Sequence, residues 1–207
     1  MSRRTLAVVS AGLSQPSSTR LLADQLAAAT RDELVRAGVE VELRPVDLRE
    51  HAHDVVNNLL TGFPSPALRQ ALDAVAGADG VVAVTPIFNG SYNGLFKSFF
   101  DVLDSGALVD RPVLIAATAG TARHSLALEH ALRPMFAYLR AVVVPTAVFA
   151  APEDWSGGTA EGALRARIVR AGGELADQVR RRATGAPPDP FALTTSFDDL
   201  LAGRDRP

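Results

Sequence analysis

The feature that most constrains this chain is the regular alternation of short apolar, β-rich runs with amphipathic helical segments. Residues 5–10 form an apolar run ending in a small polar residue, the pattern of a strand buried on both faces of a parallel sheet. Residues 17–37 then show helical spacing, with Leu22, Leu26, Leu34 and Ala37 on one face and Gly38 as the stop. A half-polar strand at 39–44, suited to a sheet edge or its neighbour, leads into a polar loop with a short helical patch near 54–60. A helix at 66–78 and a buried strand at 80–84 follow, then a helix at 94–103 and a strand at 113–118. A long helix is expected over 124–140, a last strand over 141–146 with a continuation at 148–150, and a final helix over 159–182.

Such alternation predicts a parallel sheet with helices on both faces, because each crossover must bring the chain back to the same end of the sheet. About five strands suit the shorter doubly wound order, 2-1-3-4-5. Residues 1–184 read as one α/β domain. Residues 185–207 turn to Pro, Asp and Thr, and read as a tail that is either disordered or packed on a neighbour through Phe191, Leu193, Phe197 and Leu200.

Composition narrows the chemistry. The chain has 207 residues, enough for one sizeable core. Net charge is only -2, from 21 basic and 23 acidic residues, which gives no field for nucleic acid or an anionic membrane. Absence of cysteine excludes disulfides, thiolate catalysis and cysteine-ligated metals. The apolar run near the start is too short for a secretory signal, and no stretch is long enough to span a bilayer, so a cytoplasmic protein is expected.

In an open parallel sheet, ligands bind at the carboxyl ends of the strands, near the point where strand order reverses. Three loops fall there. The first runs from Ser10 to Arg20 and opens a helix, offering hydroxyls at Ser10, Ser14, Ser17, Ser18 and Thr19. One hydroxyl satisfies a helix cap; five beside a helix N-terminus also make a neutral anion cradle. It holds neither a G-x-G-x-x-G fingerprint nor a Walker lysine, which argues against dinucleotide and nucleoside triphosphate sites. The second loop, Thr85 to Gly94, contains Pro86, Asn89, Gly90 and Asn93, a composition for a fixed turn with outward amides. Phe88 and Tyr92 add aromatic surface, so the loop offers what a flat heteroaromatic ring needs, polar groups at its edge and apolar contact at its face. The third loop, from Thr118 to His124, stays free of bulky side chains until Arg123.

With these residues in view, the chain resembles the NADPH-dependent FMN reductase family of flavodoxin-like proteins, over roughly residues 5–155. The likeness rests on the serine-rich first loop, on Thr85-Pro86-Ile87-Phe88-Asn89-Gly90-Ser91 continuing to Lys97 and Asp101, and on Ala117-Thr118-Ala119-Gly120-Thr121-Ala122. The run from His124 to Pro134 is similar to the branch that supplies reduced FMN to two-component alkanesulfonate and luciferase-like monooxygenases. The resemblance implies a flavodoxin-like fold and an NAD(P)H:FMN oxidoreductase, with hydride passing from NADPH or NADH to flavin N5. By position it places Ser10, Ser17, Ser18 and Thr19 on the FMN phosphate. Pro86, Ile87, Phe88, Asn89, Gly90 and Ser91 would follow the ribityl chain and ring, and Thr118, Ala119, Gly120 and Thr121 the ring's other edge. The flavin carries the hard chemistry, so no catalytic side chain is required. The resemblance further implies a homodimer or homotetramer and a flavin-dependent monooxygenase as partner.

The sequence also departs from the family. Leu13-Ser14-Gln15-Pro16 stands where many relatives have an arginine, so the resemblance leaves the FMN phosphate to neutral donors and Arg20, and Phe88 stands where many have tyrosine. His130 takes the place of an inserted tyrosine that some relatives carry in a π-bulge. Arg20 and Arg123 are the two candidates to meet the 2′-phosphate of NADPH. His51 and His53 lack an acidic partner set for a metal and read as loop residues. His124 and His130 read as helix residues in packing or at an oligomer interface, and Lys97 and Asp101 as an i,i+4 pair. Two other readings share parts of this pattern: an FMN-containing quinone, azo or metal-ion reductase, and a non-catalytic flavin-binding electron carrier.

Overall fold

Every second residue of the inner strands enters a different core. In β1 (Arg3–Ser10), Ala7 and Val9 join one buried cluster while Leu6 and Val8 join another, as the two-residue period of a strand requires. The same division runs through β3 (Gly80–Phe88) and β5 (Pro112–Thr118), so the sheet separates two apolar layers. In this computed structural model, residues 3–182 are described; the tail expected at 185–207 lies outside the described residues.

One layer is closed by α1 (Ser18–Arg36) and α6 (Gly158–Arg181), through Leu22, Leu26, Leu164, Ile168, Leu175 and Val179. These helices approach closely because residue 172 is glycine: a Cβ there would stand 2.9 Å from Ala29 Cβ. The opposite layer is closed by α2 (Ala52–Thr61), α3 (Pro66–Ala76), α4 (Gly94–Asp101) and α5 (Arg133–Tyr138). Phe96, Phe100 and Phe136 cluster there, with ring centroids 4.9–6.2 Å apart, and dock α4 on α5. Helix starts follow local rules: Ser17, Ser65 and Asn93 each cap a helix by accepting a backbone N–H.

The strands follow the doubly wound order expected, with β2 (Glu40–Asp47) beside β1, then β3, β5 and a fifth position. That fifth position is interrupted. Val142–Val143 (β6) pairs with the start of β5 and Val148–Ala150 (β7) with its end, both parallel. The strand expected over 141–146 stops early because Pro145 has no N–H to give the ladder, and Thr146 turns its N–H and hydroxyl to Glu174, each at 2.7 Å. A further two-residue strand, β4 (Ser91–Tyr92), folds back antiparallel on the end of β3, so β3 runs past its expected limit at Val84.

The long helix expected over 124–140 is instead three pieces. A 3-10 turn covers Ala122–His124, a π segment covers Leu128–Leu132, and α5 follows. Pro134 cannot donate to the carbonyl four residues back, that of His130, and the preceding Arg133 N–H reaches five residues back to Leu128 O. The π segment therefore contains His130, where the family resemblance put a bulge. Glu129 and Arg133 tie it together at 2.6 and 2.9 Å, and Arg133 also donates to Val144 O and Pro145 O at 3.1 Å. Among the described residues no helix is long and apolar enough to cross a membrane.

Candidate functional site

Strand order reverses between β1 and β3, since β1 has β2 on its other side. In register, Ser10 lies opposite Val84, Val84 opposite Ala116, and Pro86 opposite Thr118. The three loops picked out by composition therefore leave the same edge of the sheet, at its switch point.

The first loop is folded tightly. Ala11 N–H donates to Val84 O at 3.0 Å, extending β1 by one residue. Ser17 then turns back over Gly12 so closely that a Cβ at Gly12 would fall 2.0 Å from Ser17 Oγ. Ser17 Oγ also accepts the Arg20 N–H at 3.2 Å, so it is the cap of α1 as well as a cradle residue. Ser18 is exposed at the helix start. Thr19 is buried, and its hydroxyl meets that of Thr118 at 2.8 Å, joining the first loop to the third. Ser10 is 1% exposed, and among the described residues its hydroxyl has no hydrogen-bond partner. A buried hydroxyl without a partner costs about 1–3 kcal/mol, a cost that a polar group held at this strand end would relieve.

In the second loop, Pro86 and Ile87 are buried as the last inner residues of β3, whereas Phe88 stays half exposed. Asn89 and Gly90 both have positive φ, 51° and 81°, which is the two-residue turn that joins Phe88 to Ser91. Tyr92 is half buried and packs toward Phe96 with ring centroids 6.1 Å apart, so only Phe88 keeps its aromatic surface open. In the third loop Thr118 is buried, Ala119 N–H donates to Ala150 O at 3.2 Å, and Gly120 is exposed with open space around it. Thr121 caps the 3-10 turn by accepting the Arg123 N–H.

Three positioning residues outside the expected set hold these loops together. Asn93 is 3% exposed; its Oδ1 accepts the Phe96 N–H at 2.7 Å and its Nδ2 donates to Ala11 O at 2.9 Å, strapping the second loop to the first. Thr85 is fully buried and accepts the Asn93 N–H at 3.3 Å. Gly12 allows the close return of Ser17. The helix-cap rule points to Asn93 from sequence; its bond to Ala11 is visible only once β1 and β3 are adjacent.

Around the edge, Arg20 is engaged by Asp24 at 2.8 Å and Asp47 at 3.9 Å. The first loop thus offers an anion hydroxyls and backbone amides rather than a free cation. Glu129, on the π segment, has its carboxyl held below the usual carboxylate range by its hydrogen bonds to Arg133. Lys97 and Asp101 form the expected i,i+4 ion pair on the outside of α4.

The residues fit the phosphate and ring of a flavin mononucleotide: a buried Ser10 hydroxyl without a partner among the described residues, a tight hydroxyl-lined loop, a two-residue turn of positive φ, and a half-exposed aromatic face at Phe88. Comparison with known proteins agrees with that chemistry. Residues 4–156 match the family described as NADPH-dependent FMN reductase. The chain is 37% identical over 147 residues to the FMN reductase (NADPH) of Pseudomonas aeruginosa, covering 71% of this chain and 76% of that protein. It is 36% identical over 168 residues to the NADH-dependent FMN reductase SfnE of Pseudomonas putida, covering 81% of this chain and 88% of the relative. An oxidoreductase structure from Corynebacterium diphtheriae aligns with a TM-score of 0.85 at 46% identity, over 88% of this chain and all of that one. Fold, loop placement and these likenesses lead to one assignment: the chain belongs to the NADPH-dependent FMN reductase family.

Proposed function

We propose that the cradle at the ends of β1, β3 and β5 holds FMN, and that the enzyme delivers reduced FMN to a flavin-dependent monooxygenase. The chain is an NAD(P)H-dependent flavin oxidoreductase, and FMN, when bound, supplies the hydride-accepting centre. Ser10, Ser17, Ser18 and Thr19 would hold the phosphate; residues 86–91 would follow the ribityl chain and ring, and Thr118, Ala119, Gly120 and Thr121 the far edge. The observation that carries this assignment is the Ser10 hydroxyl, buried at the switch point and without a partner among the described residues.

The test compares FMN with riboflavin, which lacks the phosphate, by fluorescence titration. A hydrogen bond to a charged group is worth about 1.5–3 kcal/mol, and a factor of ten in affinity about 1.4 kcal/mol. The double variant S10A/S18A should therefore weaken FMN by about tenfold or more and leave riboflavin nearly unchanged. Equal loss for both flavins would refute the phosphate assignment. Steady-state NADPH and NADH oxidation with FMN, FAD, riboflavin and a quinone tests the role; turnover with quinone but not free flavin would overturn flavin delivery.

A further inference from the structure

Beside the Asn89–Gly90 turn lies a depression of about 320 Å³, bounded by Gly90, Arg123, His124, Leu126, His130 and Ala131. Its size is within the roughly 300–1,000 Å³ range of small-molecule sites. The 3-10 turn brings Arg123 and His124 to it, and the π segment brings His130. Leu126, 63% exposed, gives it an apolar surface. Among the described residues Arg123 enters no ion pair, whereas Arg20, the other arginine near these loops, is engaged by Asp24 and Asp47. Glu129, the acid beside His130 in the chain, is turned to Arg133. The rim is therefore basic, with its one arginine uncommitted.

We propose that this depression receives the adenosine 2′-phosphate end of NADPH, and that Arg123 sets the preference for NADPH over NADH. The inference rests on the flavin reading above, since the depression adjoins the turn assigned to the flavin ring. NADPH and NADH differ only by the 2′-phosphate, so discrimination requires a group that gains energy from a dianion. A guanidinium without a carboxylate partner is such a group, because its fork matches phosphate oxygens and need not first leave an ion pair. His124 and His130 add two further ring N–H donors, and Leu126 provides the apolar contact that an adenine face takes. The sequence carries no dinucleotide fingerprint, so the phosphate end of the nucleotide has no glycine-rich loop to bind it and relies on side chains.

Calorimetric titration with adenosine 2′,5′-bisphosphate and with adenosine 5′-monophosphate tests the depression without any turnover. The bisphosphate should bind about tenfold or more tightly than the monophosphate, as expected for one charged hydrogen-bonded pair. Arg123→Ala should remove that difference, and Arg123→Lys should restore part of it. Equal binding of the two ligands by the wild type, or a difference that survives Arg123→Ala, would overturn the proposal. FMN titration in parallel separates the two readings: loss of bisphosphate discrimination with intact FMN binding defeats this inference alone, whereas failure to bind FMN defeats the flavin assignment.

Discussion

The hydroxyls of Thr19 and Thr118 face each other at 2.8 Å, both side chains buried, and join the first turn of α1 to the end of β5. They are 99 residues apart in the chain. The bond fixes the distance between the first and third loops, the two sides of the proposed cradle. Each threonine is thereby a structural partner as well as a candidate flavin contact.

Replacing Thr118 by Val keeps the side-chain shape and strands the Thr19 hydroxyl in the interior. A loss of about 1–3 kcal/mol in unfolding free energy is expected, the cost of an unsatisfied buried hydroxyl. Converting both threonines to Val removes donor and acceptor together and should recover most of that stability. Urea unfolding of the two single variants and the double variant measures the coupling directly. Additive losses would show that the hydroxyls act independently.

Asn93 does two tasks with two ends of one amide: Oδ1 caps α4 and Nδ2 holds Ala11 O. Asn93→Asp should keep the cap, since aspartate is an equally good cap residue, while removing the donor to Ala11. Asn93→Ala loses both, at a cost of about 1 kcal/mol for the cap alone. Flavin affinity should fall in both variants, because the first loop is released in each. Thermal unfolding together with FMN titration separates the effects; unchanged FMN binding in Asn93→Asp would show that the strap does not order the cradle.

The Glu129–Arg133 pair gives the π segment a pH dependence of known sign. The Glu129 carboxyl is held below its ordinary value of 4.5 by its hydrogen bonds to Arg133. Its contribution to stability is accordingly complete above pH 4.5 and is lost as pH falls through the lower, folded value. Being partly exposed, the pair is worth about 0.5 kcal/mol at neutral pH. Wild type should exceed Glu129→Gln by about that amount at pH 7 and converge with it in acid. Urea unfolding at several pH values checks this, and a gap that widens on acidification would contradict the assignment.

The order of elements was legible because its causes are local. Continuous apolar runs mark strands covered on both faces, Ser17, Ser65 and Asn93 are good caps at three helix starts, and Gly38 follows the first helix with φ of 77°. The Asn89–Gly90 turn was legible as well, since positive φ at two successive residues favours this pair. Its consequence was not. A strand ending at Val84 was expected, but the turn folds Ser91 and Tyr92 back onto Ile87 and Phe88 and prolongs β3. The helix over 124–140 failed for a related reason: amphipathic spacing shows which residues face the core, but not how the backbone passes Pro134.

By itself, then, the sequence determined the alternating layers, the helix caps, the turn and the hydroxyl content of the first loop. Each follows from the preferences of residues within a few positions of one another. Tertiary structure alone decided the break in the fifth strand through Glu174 and Thr146, the strap from Asn93 to Ala11, and the bridge between Thr19 and Thr118. Those depend on groups 28 to 99 residues apart. A donor and an acceptor so distant meet only after the sheet is assembled, and no local preference encodes the meeting.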